Sequence, residues 1–192
     1  MSNFFARRLL NNHIILLSSL LLSLSVICFY YICYTACEVV CGSKIDRVFL
    51  YYTDNLVSSG ANFMCQVILS VIEDLTKLLQ SMDQNLPLKA IFQFDNSGEN
   101  KNKEVNALMS TLIEKFFFDE IHCNFLVVGH THCSVDQYFG VCTKKIKAQW
   151  WIGSPLSFQN LLLTAHSDPT RRSTINRQIY VIYDFELFSS QF

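Results

Sequence analysis

Two strand-like apolar runs between residues 91 and 137 constrain the fold of this chain most strongly, because each ends abruptly at polar residues. The first run, IFQF, is followed by Asp95 and Asn96, and the second, FLVV, is followed by GHTH and then by Asp136. A helical pattern separates the two runs. In open α/β sheets, ligands and catalytic groups gather where parallel strands end. The stretch therefore indicates a candidate active site at one edge of such a sheet.

Strand-like and helical patterns alternate along most of the chain, which predicts an α/β fold with a mainly parallel sheet flanked by helices. The strands are predicted at residues 47–53, 88–94, 122–129 and 178–185. Apolar residues at helical spacing predict helices at residues 62–82, 101–118, 134–148 and 154–165. The chain has room for one modest domain of about 140 to 150 residues. We assign this domain to residues 44–192.

An uncharged apolar run from Ile14 to Cys33 precedes the domain and has about the length that crosses a bilayer as a helix. Arg7 and Arg8 lie before it, so we predict a signal anchor within residues 1–36, a cytoplasmic N-terminus and a single-pass membrane location. A cleaved signal peptide is one alternative. The other is a truncation or an error of gene prediction, in which case the protein would be nuclear or cytoplasmic.

Charge and cysteine content leave most function classes open. A net charge of −1 and a pI near 6.5 give no overall attraction to nucleic acid. The eight cysteines form neither a CxxC pair nor a zinc-finger spacing, so they read as small buried hydrophobes. Five lysines near the candidate site are expected either to form a local basic rim or to lie on solvated helix faces: Lys101, Lys103, Lys144, Lys145 and Lys147.

Asp95 and Asp136 are the residues best suited to metal chemistry. Asp95 ends one predicted strand and Asp136 begins the helix after the next, so both carboxylates belong to the same sheet edge. Such oxygen ligands suit Mg²⁺ or Mn²⁺, and paired ions can activate the attacking oxygen and stabilise the leaving one in phosphodiester transfer. His132 could act there as a ligand or a general acid, and Asn96 and Asn102 could orient a phosphate. The alternative is a turn and a helix start with no metal bound.

Two other metal sites fit the composition less well. The GHTH tetrapeptide resembles the last metal-binding loop of calcineurin-like metallophosphoesterases, but the Asp-x-His, Gly-Asp and Gly-Asn-His blocks of that family do not occur here. A phosphoesterase remnant is therefore a weaker alternative. A structural zinc site would match no standard spacing. Its ligands would come from His122, Cys123, His130, His132 and Cys133.

Two longer motifs carry a more specific resemblance. The run LPLKAIFQFDNSGENKNKEVNALMSTLIEK, followed by FLVVGHTHCSVDQYFG, resembles the domain of unknown function 7869, which is found in many eukaryotic, transposon-associated proteins. The matching positions are Asp95, Asn96, Glu99, Asn100, Lys101, Asn102, Gly129, His130, Thr131, His132, Asp136 and Gln137. Cys133 and Ser134 depart from the pattern, since the family commonly has acidic residues there. The resemblance implies that Glu99 and His130 belong to the cofactor-binding set.

That family in turn resembles the ribonuclease H-like transposases and integrases, which implies divalent-metal chemistry on nucleic acid. Mapped onto that fold, residues 47–53 are the third strand, Asp95 ends the fourth strand and Asp136 lies on the last helix. The first two strands are then missing, together with the catalytic Asp of the central strand. The apolar leader stands in their place, so the resemblance implies an incomplete ribonuclease H-like fold.

Asp54 is the nearest substitute for the lost Asp. With the superfamily's strand order and an unfilled gap, it would lie about three strand spacings, roughly 14 Å, from Asp95, which is too far to share a metal. If the sheet closes up instead, Asp54 could approach.

We therefore expect a degenerate or truncated, transposon-derived domain whose ancestral partner is nucleic acid. It is expected to be inactive, or, if active, to be a metal-dependent phosphodiester transferase or nuclease using Mg²⁺ or Mn²⁺. The alternative from another class is a non-catalytic α/β domain anchored to the membrane through residues 14–33. The sequence does not reveal the oligomeric state.

Overall fold

The computed structural model describes residues 14–24, 32–41, 45–53, 60–94, 100–126, 134–149, 152–166 and 173–178. The elements in chain order are β1 (Ile14–Leu24), β2 (Ile32–Cys41), β3 (Ile45–Thr53), α1 (Ala61–Ser81), β4 (Lys89–Phe94), α2 (Lys103–Glu114), β5 (Glu120–Phe125), α3 (Ser134–Lys147), α4 (Pro155–Leu163) and β6 (Ser173–Gln178). The predicted strand at 178–185 lies outside the described residues except for Gln178, which ends β6.

The six strands form one sheet in the order β5-β4-β1-β2-β3-β6. β1, β2 and β3 are joined in antiparallel pairs. β4 is parallel to β1, β5 is parallel to β4, and β6 is parallel to β3. The prediction of an α/β fold with parallel strands flanked by helices is confirmed. The antiparallel unit β1–β3 is an addition that the sequence did not indicate.

The predicted apolar helix at residues 14–33 is wrong for the described part of that run, which lies in β1 and at the start of β2. Among the residues that the structure describes, no helix has both the length and the apolar character needed to cross a membrane. β1 is an inner strand, with β2 on one side and β4 on the other. An inner position in a sheet is compatible with the continuous hydrophobic run that forms β1. The expectation that two strands are missing before β3 is also wrong, because β1 and β2 precede β3 in the chain and lie in the same sheet.

Helix α1 supplies the largest share of the hydrophobic core. Its apolar residues recur at helical spacing, so one broad face is buried against the sheet and α2. The buried residues of α1 are Phe63, Met64, Cys65, Val67, Ile68, Ser70, Val71, Ile72, Asp74, Leu75 and Leu79. From the other elements, the same cluster includes Phe49 and Tyr51 of β3, Ala90, Phe92 and Phe94 of β4, and Val105, Leu108, Met109 and Leu112 of α2.

Helices α3 and α4 form a second packed unit. α3 packs against β1 and β2 as well as against α4. The buried side chains here lie outside the α1–α2 cluster and include Tyr138, Cys142, Phe158 and Leu162. The Tyr138 hydroxyl donates a hydrogen bond of 3.2 Å to the Leu162 carbonyl oxygen, which joins the two helices.

A buried polar contact links the sheet to α1. The hydroxyl of Tyr51 on β3 donates a hydrogen bond of 3.0 Å to Oδ2 of Asp74 on α1. Tyr51 has no exposed surface and Asp74 is only 6% exposed. A buried carboxyl is costly unless hydrogen bonds satisfy it. The pair therefore fixes how α1 lies on β3.

Replacing Tyr51 with Phe removes this donor while keeping the ring, so we expect the free energy of unfolding to fall by about 1.5–3 kcal/mol. Tyr138→Phe is the matched control, because its buried hydroxyl donates to a neutral carbonyl. The control is expected to cost only about 0.5–1.5 kcal/mol. Denaturant unfolding measures both values. Equal losses in the two variants would contradict a special role for the Tyr51–Asp74 contact.

Candidate functional site

The carboxyl ends of β1, β4 and β5 point toward the same edge of the sheet, because these three strands are parallel. The β4–β5 pairing continues to that edge, where the Leu126 amide donates a hydrogen bond of 2.9 Å to the Phe94 carbonyl oxygen. Asp95 follows Phe94 directly in the chain. This is the edge at which the sequence predicts a metal site.

Most of the predicted site residues lie outside the part of the chain that the structure describes. This applies to Asp95, Asn96 and Glu99 after β4, and to His130 and His132 before α3. Their predicted roles in metal and cofactor binding remain predictions.

Asp136 is the third residue of α3, and the helix that carries it packs against β1 and β2. Its backbone is described and its side chain is not. In the chain, α3 follows β5 after residues 127–133, which lie outside the described residues. The predicted meeting of Asp136 with Asp95 over a metal stays a prediction.

β1, one of the two strands that pair with β4, has no acidic residue in its sequence. β1 reads IILLSSLLLSL, and its Ser18 and Ser19 lie opposite Gln93 and Phe94 of β4. In the chain, Leu20 follows Ser19 and Asp95 follows Phe94, and Asp95 lies outside the described residues. The single acidic residue of β1 and β2 is Glu38, which lies opposite Ser18 on the β2 side. The sequence of β1 thus contains only aliphatic and hydroxyl residues.

Asp54 follows β3 in the chain, and β3 is separated from β4 by β1 and β2. Three strand spacings amount to about 14 Å, too far for carboxylates at the two strand ends to share a metal. The alternative in which the sheet closes up between these strands is wrong. Asp54 itself lies outside the described residues.

Asn102 caps the N-terminus of α2. Its backbone is extended, and its Oδ1 accepts a hydrogen bond of 2.8 Å from the Val105 amide. This is an N-cap, which satisfies one amide that the helix cannot pair internally. Asn100 is 1% exposed, so a second residue of the same motif is also buried. Asn100 and Asn102 thus have structural roles before and at the start of α2. The cofactor role of Asn102 stays a prediction.

The five predicted rim lysines fall into two groups. Lys101 and Lys103 lie at the start of α2, near the end of β5, whereas the other three are in the last turn of α3. α3 has 14 residues and is about 21 Å long, so that last turn is remote from Asp136. The Lys145 ammonium donates a hydrogen bond to the Thr164 carbonyl oxygen instead. The basic rim at the candidate site stays a prediction.

A separate charged cluster occupies the opposite edge of the sheet, at the N-terminal ends of β4 and β5. Glu120 lies 2.6 Å from the Lys89 ammonium and 2.7 Å from Nε2 of His122. Hydrogen bonding to Glu120 raises the pKa of Lys89. In turn, hydrogen bonds from Lys89 and then His122 lower the pKa of Glu120. All three groups are substantially exposed, and they lie away from the predicted metal site.

Burial favours the protonated thiol at two cysteines, Cys65 of α1 and Cys142 of α3. Burial raises the pKa of Cys65 to about 12, with a smaller contribution from the charge of Glu104. Burial likewise raises the pKa of Cys142 to about 11. Within the described ranges, no group of three or more His, Cys, Asp or Glu residues is arranged to hold a metal. His130, His132 and Cys133 of the zinc alternative lie outside those ranges.

Two polar features escaped the sequence analysis. Asp74 lies within an apolar helical pattern and gives no sign that it meets Tyr51. The Lys101 ammonium lies 4.9 Å from the centroid of the Phe125 ring, although 24 positions separate the two residues in the chain. Tertiary packing brings these residues together, so no local sequence pattern predicts the two contacts.

Replacing Asn102 with Ala should lower the free energy of unfolding by about 1 kcal/mol, because the Val105 amide loses its acceptor. Asn102→Asp keeps an acceptor and adds a favourable charge at the helix N-terminus, so it should retain the stability of the wild type. Denaturant unfolding tests both variants. An Asn102→Ala variant as stable as the wild type would contradict the capping role.

Comparison with known proteins agrees with the motifs. The family model described as the domain of unknown function (DUF7869) matches residues 38–188, well over half of the chain. The match covers β2 from Glu38 onward and every later element, and β1 precedes it. Neither a curated protein nor a solved structure matches. The chain belongs to the DUF7869 family.

Proposed function

We propose that this chain is a degenerate, transposon-derived, ribonuclease H-like domain whose ancestor carried out divalent-metal chemistry on nucleic-acid phosphodiesters. The pairing of β1 with β4 carries the proposal. Three consecutive antiparallel strands are followed by two parallel ones that add to the first strand. That arrangement, with a carboxylate after the fourth strand and another on a later helix, is the one expected of the superfamily.

The proposed loss of activity rests on the composition of β1. In the superfamily the central strand supplies a metal-binding Asp, and here β1 has only Ile, Leu and Ser. Neutral hydroxyls and aliphatic side chains do not offset the charge of two divalent ions, which hard oxygen ligands with negative charge hold best. Asp95 and Asp136 alone would bind one ion weakly, and a two-ion mechanism would lack a shared ligand.

The first two strands were expected to be missing, but β1 and β2 are present. β1 has no acidic residue, so the ancestral metal site would be lost through its side chains and not through loss of the strand. The shape needed to hold a metal would then survive in part. That difference makes the proposal testable by restoring one residue.

Leu20→Asp would restore a carboxylate level with Asp95 in the β1–β4 register. We expect wild-type protein to show no Mn²⁺-dependent or Mg²⁺-dependent cleavage of labelled DNA or RNA. The variant should bind Mn²⁺ at least about tenfold more tightly, the effect of 1.4 kcal/mol of added attraction. The double variant Leu20→Asp/Asp95→Asn should lose that gain. Calorimetric Mn²⁺ titration measures the affinities, and circular dichroism checks that each variant is folded.

Ser19→Asp is the matched control, since it adds the same charge one residue away, where alternation along the strand assigns it to the other face of the sheet. It should not increase Mn²⁺ affinity. Metal-dependent cleavage by the wild type that Asp95→Asn abolishes would refute the proposed inactivity. Equal Mn²⁺ affinity of the wild type, Leu20→Asp and Ser19→Asp would refute the placement of a metal site beside β1.

A further inference from the structure

An exposed aromatic ring and a cation lie together at the sheet edge where β4 ends. We propose that Phe125 and Lys101 form a platform for single-stranded nucleic acid, in which a base stacks on the ring and the ammonium contacts a phosphate. This inference rests on the proposed function, because it names the form of the nucleic acid and the place where the fold holds it.

The Phe125 ring packs against the core on one side and is partly exposed to solvent. It ends β5, an edge strand of the sheet, and is 37% exposed. Its ring packs on Phe94, with the centroids 5.8 Å apart, and Phe94 is only 2% exposed. An aromatic ring held by the core offers a base a rigid surface. Such stacking tolerates any base, because every base has a π-face.

Lys101 adds a positive charge beside that ring. Its Nζ lies 4.9 Å from the ring centroid, and the residue is exposed. A contact between a cation and an aromatic ring at an exposed site is weak, so the ammonium can move to a phosphate while a base takes its place over the ring. Lys103 is less suited, because Glu104 lies 3.8 Å from its ammonium.

The platform is close to the predicted chemistry. Phe125 lies opposite Phe94 in the β4–β5 register, and Asp95 is the next residue after Phe94. A strand of nucleic acid stacked on Phe125 would therefore pass the end of β4. The lysines in the last turn of α3 belong to another helix, and the Lys145 ammonium donates a hydrogen bond to the Thr164 carbonyl oxygen.

Charge favours a single strand over a duplex as the ligand. A protein that binds a duplex without base contacts must neutralise many phosphates. The net charge of −1 gives this chain no long-range attraction to the phosphates of a duplex. Stacking contributes affinity that does not depend on net charge. Base faces are open to an aromatic side chain only where bases are unpaired.

Fluorescence anisotropy with a labelled 12-nucleotide single-stranded DNA, the full chain and EDTA in the buffer tests the proposal. We expect Phe125→Leu to weaken binding about tenfold, whereas Phe125→Tyr, which keeps the ring, binds as the wild type does. Lys101→Gln should reduce the slope of log affinity against log salt by about 0.7, the contribution of one phosphate contact on a single strand. Lys144→Gln, at the far end of α3, is the matched control and should leave binding unchanged.

Three outcomes would overturn the proposal: no binding of the single strand, binding unaffected by Phe125→Leu, or an equal loss in Lys144→Gln and Lys101→Gln. A 12-base-pair duplex that binds as tightly as the single strand would overturn the choice of ligand. Because EDTA removes metal, these results are independent of the Mn²⁺ titrations. Binding through Phe125 without any metal gain from Leu20→Asp would keep this inference and reject the proposed function.

Discussion

The backbone pairing of β1 with both β2 and β4 holds this fold together. β1 is the strand that joins the unit β2-β3-β6 to the parallel pair β4-β5, and without it the two halves of the sheet would share no ladder of hydrogen bonds. Inner strands of a sheet commonly have apolar, uncharged sequences. The sequence of β1, IILLSSLLLSL, fits this position and contains no acidic residue. The same strand therefore matters both for the sheet and for the proposed loss of the metal site.

The described residues near the candidate edge of the sheet have structural roles. Asn102 caps α2, Asn100 is buried beside it, and Phe125 rests on Phe94 in the neighbouring strand. A motif that looks like a set of ligands in the sequence therefore contains residues with structural roles at the start of α2.

Periodicity was sufficient to predict the helices, because their apolar faces recur at a regular spacing. α1 was predicted at 62–82 and spans Ala61–Ser81, and α3 was predicted at 134–148 and spans Ser134–Lys147. The run from Ile14 to Cys33 misled because an uninterrupted apolar stretch fits a membrane helix and inner strands equally well. Its many leucines favour a helix, and strand pairing overrides that preference. The contacts of Tyr51 with Asp74 and of Lys101 with Phe125 depend on tertiary structure, so no local pattern predicts them.

Disulfide trapping tests the central claim, the pairing of β1 within the sheet, most directly. Ser19 lies opposite Cys37 in the β1–β2 register, and Ser18 lies opposite Glu38. Directly opposed residues of antiparallel strands have Cα atoms about 4.5–5.5 Å apart, within the range that a disulfide spans. The Ser19→Cys protein is oxidised, digested without reduction and analysed by mass spectrometry. A disulfide-linked peptide pair that joins position 19 to Cys37 is expected. The control variant Ser18→Cys should give no link to Cys37. Absence of the link in Ser19→Cys, or equal yields from both variants, would contradict the account.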